Sequence, residues 1–254
     1  MGDSISGLDR AAKLLAESDR AIALTGAGIS VDSNVPAFRG AQGLWDRYDP
    51  MEYAHIDAFR SDPARVWAML RELGDIIANS QPNPAHRALA RLEEIGKLAA
   101  VITQNVDGLH QRAGSKQVIE FHGSGERLVC LRGHGPFARN SVRIDDAPPG
   151  CPNCGAILKP DVVFFGEAIP PRALLAAQVE VERADLVLVL GTSAEVSPAS
   201  EIPAAARGRG ARVIEVNLEP THLTGGVADV TLLASTSRAL PALLAAIEGA
   251  EPAA

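Results

Sequence analysis

The chain has 254 residues, of which 46% are hydrophobic and 22% are charged, and this composition predicts a globular protein with one large core or a core and a satellite lobe. Its formal net charge of −7 gives no general attraction to nucleic acid or to an anionic membrane surface, so direct binding to either is not expected. Because no basic segment precedes an apolar one at the start, and no apolar run approaches the roughly 20 residues that span a bilayer, we expect a cytoplasmic protein.

Apolar runs and helical patterns alternate along the chain. A helix near residues 8–15 and a strand at 21–24 are followed by helical periodicity over 63–78 and 84–96, where Asn83 and Pro84 indicate a cap and a first helical residue. Further strands are predicted near 98–102, 118–120, 162–165, 186–190, 212–217 and 230–233, and further helices over 172–184, 199–206 and 237–247. The alternation predicts an α/β fold: a Rossmann-like, doubly wound parallel sheet with helices on both faces.

Two stretches break this alternation. Residues 36–79 are rich in helical pattern without strands, which predicts a helical insertion. Residues 122–159 contain all three cysteines, clustered glycines and little helical periodicity, which predicts a small inserted lobe of the zinc-ribbon type.

The cysteine spacing within that lobe is incomplete for zinc. A structural zinc ribbon has two Cys-x-x-Cys pairs separated by about 15 to 20 residues. Cys151 and Cys154 form one pair, but the other has only Cys130, with Gly133 in place of the fourth thiolate. Either His134 completes a Cys₃His site for structural Zn²⁺ one residue later, or the lobe holds together without metal.

Polar and glycine residues follow the first two apolar strands. Residues 26–30 read Gly-Ala-Gly-Ile-Ser, a turn whose backbone N–H groups can approach a pyrophosphate. The second strand ends in Gln104, Asn105 and Asp107. We expect the two strand ends to converge on a ligand crevice, as in open parallel sheets. The third glycine of the usual dinucleotide fingerprint falls on Val31, which disfavours an ordinary hydride-transfer dehydrogenase.

Six short motifs occur in a fixed order: GAGIS at 26–30, FRG at 38–40, TQNVD at 103–107, HG at 122–123, FGE at 165–167 and GTS at 191–193. In this order they resemble the motifs of the sirtuin family, and the resemblance spans residues 21–219. It implies an NAD-dependent protein-lysine deacylase, above all a deacetylase, formed by one catalytic domain over residues 1–254. It also implies a Rossmann-like core at about 7–35, 80–121 and 160–248, the helical insertion at about 36–79 and the zinc-type lobe at about 123–159.

The resemblance also assigns roles to individual residues. His122 is implied to be the general base, which takes a proton from a ribose hydroxyl after nicotinamide has left and the acyl oxygen has attacked the anomeric carbon; an imidazole with an ordinary pKa of about 6.5 suits that step. The positions that match the family's NAD contacts are Gly26, Ala27, Gly28, Ser30, Phe38, Arg39, Gln104, Asn105, Asp107, Gly191, Thr192, Ser193, Asn217 and Glu219. The positions that match its contacts to an acyl-lysine protein or peptide are Val163, Phe164, Phe165, Gly166 and Val196.

The chain departs from the family pattern outside the zinc lobe as well. Ala37 replaces an aspartate that many members have before Phe-Arg, and Leu70 and Leu73 occupy the positions of a tyrosine and an arginine in the desuccinylating branch. Because a dicarboxylic acyl chain needs such an arginine, we expect a neutral acyl group. Two alternatives use the same pocket: transfer of ADP-ribose to a protein or hydrolysis of NAD, and NAD sensing without turnover.

Overall fold

The structure is a computed structural model that describes residues 5–38, 43–145 and 147–249. Its strands are β1 (Ala21–Thr25), β2 (Ala100–Thr103), β3 (Val118–Glu120), β4 (Gly123–Cys130), β5 (Phe137–Ala138), β6 (Leu158–Val162), β7 (Leu186–Leu190), β8 (Arg212–Asn217) and β9 (Val230–Leu233). Its α-helices are α1 (Leu8–Glu17), α2 (Leu44–Arg47), α3 (Pro50–Tyr53), α4 (Ile56–Ser61), α5 (Pro63–Asn79), α6 (Pro84–Glu94), α7 (Leu109–Ala113), α8 (Pro171–Arg183), α9 (Ile202–Gly208) and α10 (Thr236–Gly249).

Six strands form one parallel sheet in the order β3-β2-β1-β7-β8-β9. The chain builds outward from β1 to β3 on one side and from β7 to β9 on the other. The strand order therefore reverses between β1 and β7, and the carboxyl ends of these strands border the position where doubly wound folds place a ligand. The predicted α/β class with a doubly wound parallel sheet is confirmed.

Helices cover both faces of this sheet, as the alternating side chains of β1 require. Ala21 and Ala23 point into a core shared with α1, α6 and α10, whereas Ile22 and Leu24 point into a core shared with α8 and α9. All four side chains are buried, which explains why β1 reads as a continuous apolar run rather than an alternating one.

The helical insertion and the small lobe share a third core. β5, β4 and β6 form an antiparallel sheet, and Trp67 of α5 donates a hydrogen bond from Nε1 to the carbonyl of Leu158 in β6 at 2.9 Å. Phe59 of α4 packs edge-on against Phe164, with ring centroids 5.8 Å apart. Burial of these aromatic rings couples the insertion to the lobe.

The predicted strand at 162–165 is wrong. The strand lies four residues earlier, at β6, and pairs antiparallel with β4 instead of joining the parallel sheet. Its sequence, Leu-Lys-Pro-Asp-Val, has little apolar character, while the apolar run after it forms a wall of the cleft described below.

Among the described residues, no helix combines the length and the apolar character needed to cross a membrane.

Candidate functional site

A cleft of about 1340 Å³ opens at the carboxyl ends of the parallel strands, between the main sheet and the third core. Most of the residues singled out from the sequence line it: Gly26, Ala27, Gly28, Phe38, Gln104, Asn105, His122, Val163, Phe164, Phe165, Gly166, Gly191, Thr192, Ser193, Val196, Asn217 and Glu219. Ser30 and Asp107 lie buried beneath the lining, and Arg39 lies outside the described residues. The folded chain therefore brings together residues from the ends of six strands: β1, β2, β3, β6, β7 and β8.

Two glycine turns meet at the reversal point of the sheet. The Gly28 amide donates to the carbonyl of Gly191 at 2.8 Å, so the turn after β1 touches the turn after β7 backbone to backbone. A Cβ on Gly28 would lie 2.7 Å from that oxygen, and one on Gly191 would lie 2.4 Å from the amide nitrogen of Ile29. The contact therefore requires glycine at both positions, and the two turns form a cradle in the cleft where a bound group can lie close to the backbone.

Asn105 and Asp107 are joined through Ser30. The Ser30 hydroxyl donates to Asp107 Oδ2 at 2.7 Å and accepts from Asn105 Nδ2 at 3.1 Å. The same Asn105 amide group donates to the carbonyl of Gly26 at 3.1 Å. Asp107 also accepts from the Leu109 amide at 2.9 Å, but burial dominates and raises the pKa of its carboxyl group. The result is a rigid polar floor for the cleft.

His122 lies at the junction of β3 and β4, with its ring facing the cleft. Its Nδ1 is 3.2 Å from the carbonyl oxygen of Gln104. Because a carbonyl only accepts, Nδ1 carries the proton and Nε2 is left as a free base. Burial lowers the pKa of His122, with the Gln104 carbonyl opposing that shift, so the ring is neutral at pH 7.

Polar groups also tie together the far end of the cleft. Gln104 donates from Nε2 to the Thr192 hydroxyl at 3.1 Å, and Asn217 donates from Nδ2 to the Thr192 carbonyl at 3.2 Å. Thr236, at the start of α10, lines the same end. Its buried hydroxyl has no partner within the described ranges and so has hydrogen-bonding capacity left over.

The segment 163–166 is held as a cleft wall from both sides. Val163 donates to the carbonyl of His122 at 2.9 Å, and Phe165 donates to the carbonyl of Ala54 at 2.8 Å. Phe165 is 37% exposed and faces the cleft, whereas Phe164 is buried in the third core. Phe164 therefore presents its backbone rather than its ring to anything bound along this wall.

An ion pair between buried Lys159 and half-buried Glu167 supports this wall from behind. Lys159, only 4% exposed, donates to Glu167 Oε2 at 3.0 Å and to the Val162 carbonyl at 2.5 Å. The same Glu167 oxygen accepts from the Phe164 amide at 2.9 Å. Burial lowers the pKa of Lys159, and Glu167 opposes that shift.

In the small lobe, Cys130, His134, Cys151 and Cys154 converge, with one ligand atom from each lying within 4.8 Å of all the others. The Cys130 and Cys154 sulfurs are 3.6 Å apart, and the Cys151 sulfur is 3.7 Å from His134 Nδ1. A tetrahedral zinc site with Zn–S bonds of about 2.3 Å has S–S edges of roughly 3.8 Å. The Arg132 amide lowers the pKa of the Cys130 thiol to about 6, which favours the thiolate that binds metal. The four residues fit Zn²⁺, and His134 stands where the sequence lacked a fourth cysteine.

Sequence patterns missed several residues that shape the cleft floor. His86 accepts the Asn83 amide on Nδ1 at 3.3 Å, which leaves Nε2–H directed at the Ser30 hydroxyl, 3.5 Å away. Thr25 and Thr103 end β1 and β2 side by side, and their hydroxyls are 2.9 Å apart. The cap at Asn83 was visible in the sequence, but the contact of its helix with Ser30 depends on the tertiary fold.

Arg139, from the small lobe, was also missed. Its guanidinium lies where a Cβ on Gly74 of α5 would be, and both residues line the cleft. Burial lowers the pKa of Arg139, while Glu126 and Asp75 oppose that shift. A positive charge therefore faces one end of an otherwise apolar stretch of α5.

The buried histidine pair predicts a dependence of stability on pH. Burial lowers the pKa of His86 to about 4 and that of His110 to about 3. Each binds a proton near pH 6.5 when unfolded but not when folded, so the free energy of unfolding falls as the pH drops from about 6.5 to about 4, by roughly 1 kcal/mol per unit for each histidine. Urea titrations of wild type and His110→Gln should show a shallower pH slope in the variant. Identical slopes would contradict neutral burial of His110. The raised pKa of Asp107 changes stability in the opposite direction with pH, but it is present in both proteins and does not affect the comparison.

Comparisons with known proteins agree with this architecture. The model of the Sir2 family matches residues 26–198. The chain is 46% identical to NAD-dependent protein deacylase 2 of Pyrobaculum aerophilum over 233 residues, which cover 92% of this chain and 93% of that protein. It is similar to a solved Sir2 homologue in complex with NAD, with a TM-score of 0.90, 43% identity and coverage of 95% and 94% of the two chains. It is also similar to a solved complex of Sir2 with a p53 peptide and NAD⁺, with a TM-score of 0.83, 37% identity and coverage of 94% and 97%.

Proposed function

The chain belongs to the Sir2 family, the sirtuins, and is an NAD-dependent protein deacylase, and we propose that it removes neutral acyl groups from lysine side chains with His122 as the general base. The acyl group passes to ADP-ribose and nicotinamide is released. The observation that carries the proposal is the convergence of the free Nε2 of His122 and the joined Ser30–Asn105–Asp107 floor on one cleft.

The residues in the cleft fit NAD. The backbone cradle at Gly28 and Gly191 suits the diphosphate, and the unpartnered Thr236 hydroxyl and Asn217 suit the adenosine end. Bound NAD supplies the nicotinamide leaving group and the ribose that accepts the acyl group. Arg39, which lies outside the described residues, is retained as a proposed cofactor contact.

Two parts of the site have distinct chemical tasks. Asn105 and Asp107 bury the nicotinamide end and exclude water from it, since both side chains are already fixed through Ser30. Nε2 of His122 accepts a proton from a ribose hydroxyl, and the Gln104 carbonyl stabilises the imidazolium that forms by accepting from Nδ1–H.

An acylated peptide would lie extended along the wall formed by residues 163–166, with Val196 on the opposite side. Such added strands draw affinity mainly from main-chain hydrogen bonds. Leu70, Leu73 and Ile77 of α5 line the adjoining part of the cleft and favour an apolar acyl chain. In the small lobe, Cys130, His134, Cys151 and Cys154 would hold a structural Zn²⁺.

The direct test incubates the protein with an acetyl-lysine peptide, with and without NAD, and follows peptide mass, nicotinamide and acetylated ADP-ribose by mass spectrometry. NAD-dependent loss of acetyl with matched formation of both products is expected. Nicotinamide release with an unchanged peptide would instead support ADP-ribosyl transfer or NAD hydrolysis. A succinyl-lysine peptide serves as a second substrate, and its preferential turnover would contradict the neutral acyl preference and point to Arg139.

The ion pair behind the peptide wall predicts a coupled effect of Glu167→Ala, which removes both the charge and the acceptor for the Phe164 amide. Loss of the carboxylate leaves Lys159 buried without its counter-charge, so we expect the free energy of unfolding to fall by about 3 kcal/mol. Because Glu167 also holds the Phe164 amide, we expect the KM for the acylated peptide to rise roughly tenfold, with little change in the KM for NAD. Urea unfolding and steady-state kinetics measure the two effects. Adding Lys159→Met should recover part of the stability, and an unchanged peptide KM would refute the support assigned to Glu167.

A further inference from the structure

His110 is a buried titratable residue to which the mechanism gives no task. It lies on α7 and is 1% exposed, below the floor of the cleft and outside its lining. Its ring packs edge-on against His86, with centroids 4.9 Å apart. Within the described ranges its Nδ1 has no hydrogen-bond partner. A buried polar atom without a partner costs about 1 to 3 kcal/mol of folding free energy, so a leucine or phenylalanine would fill this space with a smaller loss of stability.

The other ring nitrogen begins a chain of hydrogen bonds. Nε2 of His110 is 3.0 Å from the Thr25 hydroxyl, which donates to the Thr103 hydroxyl at 2.9 Å. The Thr103 oxygen also accepts from the backbone amide of Asn105 at 3.0 Å. Four groups thus connect α7 to the residue that helps to close the nicotinamide end of the cleft.

With the Thr25 hydroxyl as the donor to Thr103, the protons of this hydrogen-bond chain have a single arrangement. A threonine hydroxyl has a single proton, and that of Thr25 is directed at Thr103. His110 Nε2 therefore donates to Thr25, and Nδ1 is the bare nitrogen. An unsatisfied acceptor is the more tolerable orphan, which agrees with this tautomer. Burial keeps the ring neutral at working pH and the arrangement fixed.

The two threonines transmit this order to the cleft. They are register partners at the ends of β1 and β2, immediately before the turns that carry Gly26 and Asn105. Their β-branched side chains have few rotamers, and the hydrogen bond from His110 selects one of them. Without that donor the Thr25 hydroxyl can rotate, and the Thr103 oxygen that accepts from the Asn105 amide is no longer held in one position.

We propose that His110 is a positioning residue for the NAD-cleaving pocket, which fixes the backbone of Asn105 through Thr25 and Thr103 without touching substrate. The proposal rests on the deacylase function proposed above. It predicts that the hydrogen-bond chain acts as one unit, so that breaking it at His110 or at Thr25 has the same effect and breaking it at both has no further effect.

The test compares His110→Phe, Thr25→Val and the double variant in steady-state kinetics. We expect kcat/KM for NAD to fall roughly tenfold in each single variant and equally in the double, with an unchanged KM for the acylated peptide. His110→Gln, whose amide can still donate to Thr25, should recover most of the activity. Ser115→Ala removes another buried hydroxyl next to α7 and should behave as wild type.

Several outcomes would overturn the positioning role. They are a folded His110→Phe protein with wild-type NAD kinetics, additive losses in the double variant, and a lower melting temperature without a kinetic change. If the wild type itself does not deacylate, the proposed function fails first. In that case calorimetric NAD binding by the wild type and the same five variants still decides the positioning role, because proteins with the intact hydrogen-bond chain should bind NAD more tightly than His110→Phe and Thr25→Val.

Discussion

His122→Ala is expected to lower kcat for NAD-dependent deacylation by about 10² to 10⁴ fold, because the ribose hydroxyl loses the base that takes its proton. The KM for NAD should change little, since the cradle at Gly28 and the floor at Asn105 do not depend on the imidazole. Single-turnover kinetics with an acetyl-lysine peptide measure the loss, and a melting curve shows that the variant is folded.

The pH profile separates a base from a residue that only packs. Because burial lowers the pKa of His122, the neutral form persists below pH 6.5, and the acid limb of kcat/KM should lie at a lower pH than for an exposed histidine. His122→Gln keeps a donor near the Gln104 carbonyl but has no basic nitrogen to accept the ribose proton. It should lose most of the deacylation rate, and its pH profile should lose the acid limb. A variant that keeps near-normal turnover would disprove the assigned role.

Much of the fold follows from the distribution of apolar residues. β1, β2 and β7 are fully buried runs of four or five residues, separated by helical periodicity, and such runs identify a parallel sheet. Strand β4 was not predicted because it begins with Gly-Ser-Gly-Glu-Arg, and β6 was not predicted because a lysine, a proline and an aspartate occupy its middle. The small sheet is stabilised by a core shared with α4 and α5. The sequence indicates a helical insertion next to the lobe, but not which of its side chains meet the small sheet.

The candidate site, like the fold, could be predicted from the sequence only in part. His122, Asn105 and Asp107 were found because they follow strands within short motifs. Thr103 begins one of those motifs, but neither Thr103 nor Thr25 was assigned a role, since a threonine at the end of an apolar strand looks like an ordinary strand residue. Their hydroxyls become part of the site only when β1 and β2 pair in the observed register. Long-range pairing of this kind cannot be deduced from one sequence.

Zinc removal is expected to have the largest effect on stability. Structural zinc contributes about 10 to 16 kcal/mol of apparent binding free energy in small zinc-binding peptides near neutral pH. The cysteines Cys130 and Cys151 lie in the same core as Trp67, which also holds Leu158 of β6. Loss of the metal should therefore loosen the small sheet and the helical insertion together, and Trp67 should become exposed to water.

The site should contain one equivalent of zinc after purification, as measured by elemental mass spectrometry. His134→Ala should lose the metal, lower the melting temperature by ten degrees or more, roughly what a few kcal/mol produces in a chain of this size, and shift the tryptophan emission to longer wavelength. Arg132→Ala alters an exposed side chain in the same loop and should keep the metal. Metal-free protein with three freely reactive thiols and an unchanged melting temperature would mean that the lobe is stabilised by its apolar core alone. Retained zinc in His134→Ala would instead mean that three thiolates suffice, and that His134 only lies beside them.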